Sequence, residues 1–179
     1  RVFDPIAGGE ALVVLGIDDK VKAMTVFTDP ATGAPRLACG WGDEVRIFDL
    51  VAGCEALLVL YIGSDVYGLV VFKEPATSAP RLACGSKDGK VRVFDAVSGG
   101  DALLVLDAGS RRVNALVAFR DLATGAPRLA CCSQDDCKVR VFDPVAGGEA
   151  LVVLEGHTGL WGVPALIAFT DPATGEQRL

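Results

Sequence analysis

Arg92-Val93-Phe94-Asp95 recurs as Arg1–Asp4, Arg46–Asp49 (with Ile47 for Val) and Arg140–Asp143. The starts lie 45, 46 and 48 residues apart, and the flanking sequence recurs with them. A period in this range is the signature of a repeat architecture, in which one supersecondary unit is copied and stacked.

Each unit divides into four short apolar segments, a to d. In one unit these are Val113–Phe119, Arg128–Ser133, Lys138–Phe142 and Ala150–Leu154. Five to seven residues, rich in Val, Leu and Phe and bounded by Gly, Pro and Asp, predict strands rather than helices. The a–b connection reads Asp29-Pro30-Ala31-Thr32-Gly33-Ala34-Pro35 and returns near Glu74, Asp121 and Asp171. Gly33, Gly125 and Gly175 can supply the positive φ of a turn, and Ser78 stands at that place in the second copy. The c–d connection is Asp-x-x-x-Gly, from Asp4 to Gly8, Asp49 to Gly53, Asp95 to Gly99 and Asp143 to Gly147. An Asp accepting backbone N–H groups, followed by a left-handed Gly, predicts a hairpin.

Every unit therefore reads as a four-stranded antiparallel meander. One such sheet cannot bury both faces alone, but copies stacked around an axis can, which makes an all-β β-propeller. Leu82-Ala83-Cys84-Gly85-Ser86-Lys87-Asp88-Gly89-Lys90-Val91-Arg92-Val93-Phe94-Asp95 resembles the b–c hairpin of the WD-repeat (WD-40) family, whose blades end strand c in Trp-Asp. The family's Gly-His pair appears once, as Gly156-His157. The resemblance runs through four copies and implies a protein-interaction platform.

The copies depart from the family pattern. A His, a Ser or Thr, an Asp and the Trp form a hydrogen-bonded set in that family. Here Asp88 and Asp136 match the Asp, while Gly42 holds that place in the first unit, beside Asp43. Cys39, Cys84 and Cys131 replace the hydroxyl, and Phe48, Phe94 and Phe142 replace the Trp and its donor. Apolar packing is expected to take over from the polar set, because burial of these side chains is the larger effect.

By this reading residues 1–15 are a c–d pair, 21–60, 66–106 and 113–154 are complete blades, and 164–179 are an a–b pair. The expectation is a part of a larger ring. Two alternatives stand beside it: two copies closing a ring of about eight blades, or the two half-blades meeting in one ring of about four.

The net charge of −6 and pI near 4.8 argue against a nucleic-acid partner, which requires a basic field to displace phosphate counterions. Apolar runs such as Ala56–Ile62 fall far short of the about 20 residues of a membrane helix, so no membrane span is expected. Cys39, Cys84 and Cys131 occupy one slot of successive units, too far apart for disulfides. All six cysteines are read as reduced, in the cytoplasm or another reducing compartment. Cys132 and Cys137 flank one turn, yet lack the tight pair spacing and second ligand pair of a zinc site.

The sequence supports no enzyme activity, cofactor or metal. One His, no nucleophile–base setting and no phosphate loop or zinc motif leave catalysis without candidates. Protein or peptide partners are expected at two places. The loops before strand a and between b and c carry Trp41, Asp65, Arg111, Arg112, His157 and Trp161. Trp and Arg are enriched in binding hot spots. Trp41 breaks the repeat by replacing the Ser of the other units, and Trp161 sits in a longer loop; the plainer reading is packing on their own loops. The second place is the outer rim, where Val13, Leu58, Leu104 and Val152 hold the third position of strand d, polar in many WD repeats. An exposed apolar edge invites association, unless neighbouring blades bury it. A structural segment of a large complex is the alternative function, and a propeller appended to an enzyme domain a third. Arg36, Arg81, Arg128 and Arg178 on the opposite face are expected to pair locally with Asp29, Glu74, Asp121 and Asp171.

Overall fold

The units fold into separate antiparallel sheets. The computed structural model describes residues 1–17, 20–53, 55–109, 111–134, 137–156 and 163–179. The first sheet holds β1 (Ala23–Thr28), β2 (Pro35–Trp41), β3 (Glu44–Asp49) and β4 (Ala56–Tyr61). The second holds β5 (Val66–Lys73), β6 (Pro80–Ser86), β7 (Lys90–Asp95) and β8 (Leu104–Asp107). The third holds β9 (Val113–Arg120), β10 (Pro127–Ser133), β11 (Val139–Phe142) and β12 (Val152–Leu154). A hairpin of β13 (Phe169–Thr170) and β14 (Gln177–Arg178) follows, and before β1 a bridge pairs Val2 with Val13. Strand order within each large sheet is sequential, and no helix occurs among the described residues. The sheets do not close into a ring.

The inner strands β1, β5 and β9 stand side by side, so each blade packs face to face on the next. Burial is concentrated between blades. Phe27, Ile47 and Leu60 of the first blade meet Leu82, Cys84 and Phe94 of the second. Phe72, Val93 and Leu106 of the second meet Leu129, Cys131 and Phe142 of the third. Phe48 packs on Leu15 and Val13 of the N-terminal pair. The strand-c Phe residues are thus the main wedges between blades, each 1–2% exposed and worth roughly 2–3 kcal/mol of burial. Cys131 and Cys132 face opposite sides of one strand, Cys131 in the second interface and Cys132 in the third. Neither they nor Cys39, Cys84 or Cys137 form a disulfide.

The turns carry the expected chemistry. Asp49 Oδ1 accepts the N–H groups of Val51 at 2.7 Å and Ala52 at 2.8 Å, and Asp95 and Asp143 repeat the arrangement. At the a–b turn Gly33, Gly125 and Gly175 have φ near +70°, and Ser78 adopts +57° in their place.

Two details differ from the sequence expectation. Apolar packing does not wholly replace the polar set in the second blade. Ser86 Oγ donates to Asp88 Oδ1 at 2.6 Å, while Arg92 donates to Ser86 Oγ at 2.9 Å and to Asp88 Oδ2 at 2.7 Å. The first Arg of the repeated tetrapeptide, two residues before the Phe, has taken over as donor. Arg178, in turn, pairs with Glu176 instead of Asp171. Its counterparts Arg36, Arg81 and Arg128 each bind the turn acid and the strand-c Asp together. Among the described residues no strand-c Asp stands beside the C-terminal hairpin.

Candidate loop-face interaction site

Val21 stands just ahead of β1, and Val66 and Val113 open β5 and β9; the residues before and after these three equivalent positions gather at one end of the inner strands. The following residues are Lys22, Tyr67 and Asn114; the preceding ones are Lys20, Asp65 and Arg112. Because the inner strands lie side by side, the residue after the Val in one blade meets the residue before it in the next.

Lys22 Nζ donates to Asp65 Oδ2 at 2.9 Å and lies 3.4 Å from the Tyr67 hydroxyl. The Lys22 ammonium stands 4.5 Å from the centre of the Tyr67 ring, and the Arg112 guanidinium stands 4.5 Å from the same centre. Arg112 also donates to Asn114 Oδ1 at 2.6 Å. The result is a cation–aromatic–cation row across three blades, half-buried and open to the loop face. Each cation gains from the negative face of the ring.

Electrostatics follow from these contacts. Hydrogen bonding to Asp65 raises the Lys22 ammonium above its ordinary value, against the opposing pull of burial. The same bond holds Asp65 below the usual carboxylate range. Burial works to raise the Tyr67 hydroxyl, but Arg112 and Lys22 outweigh it, so it titrates below an ordinary phenol.

Of the residues singled out from sequence, Asp65 and Arg112 meet here. Trp41 does not: it ends β2, half-buried beside Phe48 and Leu15, with the Arg46 guanidinium 4.4 Å from its ring centre. Arg46 is held in turn by Glu44. Arg111 is exposed, and its carbonyl accepts from Ser133 Oγ at 3.4 Å. His157 and Trp161 lie outside the described residues. Lys22 and Tyr67 were not among the sequence candidates. Their signal was present, since Lys, Tyr and Asn in one slot break the repeat as plainly as Trp41 does.

At the rim, Leu58 and Leu104 are half-buried against the next blade and Val13 against Phe48. Leu58 lies so close to Gly99, and Leu104 to Gly147, that a Cβ there would sit 2.6 and 2.5 Å away. Val152 is 47% exposed. The alternate positions Leu12, Leu57, Leu103 and Leu151 are more than half exposed and form the apolar outer edge.

No protein-family model matches the sequence, and no curated protein matches it. Solved structures do match the fold. Chains of the Chaetomium thermophilum Polycomb Repressive Complex 2 bound to GSK126 superpose with a TM-score of 0.59 at 18% identity, over 73% of this chain and 31% of theirs. An active polycomb repressive complex 2 in the basal state gives 0.59 at 18% identity, covering 73% and 29%. A humanized mutant of the Chaetomium complex bound to GSK343 gives 0.58 at 16%, covering 74% and 31%. The chain spans about a third of the length of these structures. At such identity the likeness concerns the fold: stacked four-stranded blades of the propeller kind.

Proposed function

We propose that this chain is a stretch of a WD-repeat-like propeller and acts as a non-catalytic protein-interaction platform. It binds an acidic peptide segment across the loop face at Tyr67. The row Lys22–Tyr67–Arg112 carries this reading. Its members stand in or directly ahead of the inner strands of three sheets, so little ordering entropy is lost on binding. Tyr and Arg are hot-spot residue types, and the two cations would face a partner's carboxylates. The buried, unbridged cysteines support a reducing compartment. Burial raises the Cys39 thiol to about 11, which keeps it protonated and unreactive.

The test is selection from a random peptide library on the chain, followed by fluorescence anisotropy of the enriched peptides. Tyr67→Ala and Arg112→Glu are expected to weaken binding at least tenfold, while Leu103→Lys leaves it unchanged. The reverse pattern would move the site to the rim. That second reading, a segment built into a larger assembly, draws on the exposed Leu57, Leu103 and Leu151 and on the similar chains' membership in a repressive complex.

A further inference from the structure

The inner strands of the three complete blades end on the side opposite the loop face. β1 ends at Thr28, β5 at Lys73 and β9 at Arg120, equivalent positions that are all exposed. The remaining copy has Thr170 at this place, so the scaffold does not demand the two cations. Among these strand ends lies a cavity of about 410 Å³, walled by Phe27, Val71, Phe72, Ala118, Phe119 and Pro127, with Lys73 and Arg120 also lining it. Every lining residue falls within the three complete blades, and none belongs to a half-blade. Phe27 and Phe72 are each 7% exposed, wedged between blades, which fixes the wall in place. A volume of this size is that of a small-ligand site.

The neighbouring acids do not neutralise these cations. Asp29, Glu74 and Asp121 follow Thr28, Lys73 and Arg120 in sequence, and each is engaged by an Arg of strand b: Arg36, Arg81 and Arg128. Lys73 has no ion-pair partner among the described residues. Arg120 donates one N–H to the Gly125 carbonyl at 2.9 Å and has no acid beside it among the described residues. In a chain of net charge −6, two such cations on one apolar cavity create a local field that attracts an anion.

We propose that this cavity binds a small apolar monocarboxylate of the medium-chain fatty-acid type. The carboxylate sits between the Lys73 ammonium and the Arg120 guanidinium, where charge-assisted hydrogen bonds hold it. The alkyl chain covers the Phe and Val wall and leaves water. Apart from the two cations, Thr28 brings the one polar side chain of the lining. A sugar or nucleotide would therefore leave its hydroxyls unpaired against the wall, whereas an alkyl chain has none to satisfy. Lys73 and Tyr67 stand at opposite ends of β5, about 20 Å apart at the rise of a strand. The site is thus separate from the loop face and does not depend on the peptide-binding reading.

Isothermal titration calorimetry of the full 179-residue chain with sodium decanoate tests it. Saturable one-to-one binding is expected. Lys73→Glu and Arg120→Glu are each expected to weaken it about tenfold or more, and Lys73→Arg to retain it. Hexanoate carries the same charge on a shorter chain and is expected to bind about tenfold more weakly or worse. Decylammonium, with the opposite charge, is expected not to bind. The changed side chains are exposed strand ends, and circular dichroism checks that each variant keeps its strand signal. Absence of saturable decanoate binding overturns the proposal. So does binding that both charge reversals leave intact, or that hexanoate or decylammonium matches. Binding lost on Tyr67→Ala while both charge reversals are silent would place the anion on the loop face and overturn it. A peptide ending in a free Leu carboxylate that binds where decanoate does not would make the cavity a dock for a chain terminus, and overturn it too.

Discussion

Arg36 donates to Asp29 in the a–b turn and to Asp49 at the end of strand c, tying two turns of one blade through one guanidinium. Arg36 holds Asp29 below the ordinary carboxylate range, and the Ala52 and Val51 N–H groups, then Arg36, do the same for Asp49. A carboxyl depressed in the folded state adds stability above its unfolded value of about 4, and that stability is lost as pH falls through the lower folded value. Thermal melts of wild type and Arg36→Gln should therefore differ most near neutral pH. The gap should narrow as pH falls through the lowered folded values of the two acids. A gap independent of pH would remove the ion pairs from the account.

Phe94 and Phe3 occupy the same repeat position with opposite surroundings. Phe94→Ala should leave a cavity between the first two blades and cost about 3–5 kcal/mol in urea unfolding. Phe3→Ala should cost under about 0.5 kcal/mol, because half of that ring is already in water. Equal losses would show that the N-terminal pair packs like a complete blade.

Ser78 holds φ of +57° where the other copies use Gly. A left-handed non-Gly residue is strained by roughly 1–2 kcal/mol, part of which Gly gives back through unfolded-state freedom. Ser78→Gly is expected to stabilise by about 0.5–1 kcal/mol. Gly125→Ala, with no atom within 4 Å of the new Cβ, should destabilise by about 1 kcal/mol through the backbone alone. Chemical denaturation of the two variants measures both, and the same sign for both would refute the turn assignment.

Tyr67 should ionise below an ordinary phenol because Arg112 and Lys22 outweigh its burial. Arg112→Ala removes one cation and should move the tyrosinate absorbance transition of Tyr67 upward, with Tyr67→Phe identifying its contribution beside Tyr61. An unmoved transition would mean that the guanidinium does not stand beside Tyr67 in solution.

The turns and strands were legible because they depend on local chemistry. Asp in Asp-x-x-x-Gly accepts its own turn N–H groups, and Gly33 supplies a φ that neighbouring residues cannot. Four copies in register then specified the meander and its stacking. The candidate site was half legible: Asp65 and Arg112 were identified, but Lys22 and Tyr67 were missed. The contacts of a side chain at the start of an inner strand lie in the adjacent unit, which a single copy of the repeat does not display. The rim shows the same limit. Leu58 and Leu104 look like edge residues within one repeat and are half-buried once Gly99 and Gly147 of the next blades lie over them.

The sequence by itself determined the all-β class, the repeat period, the strand order within a blade and the recurrent Phe of strand c. Hydrophobic alternation and turn chemistry act over a few residues, and repetition amplifies them. Only the tertiary structure decided which residues meet between blades: the Lys22–Tyr67–Arg112 row, and Leu58 and Leu104 against Gly99 and Gly147. Those contacts depend on the angle and offset between neighbouring sheets, which no single unit of the sequence specifies.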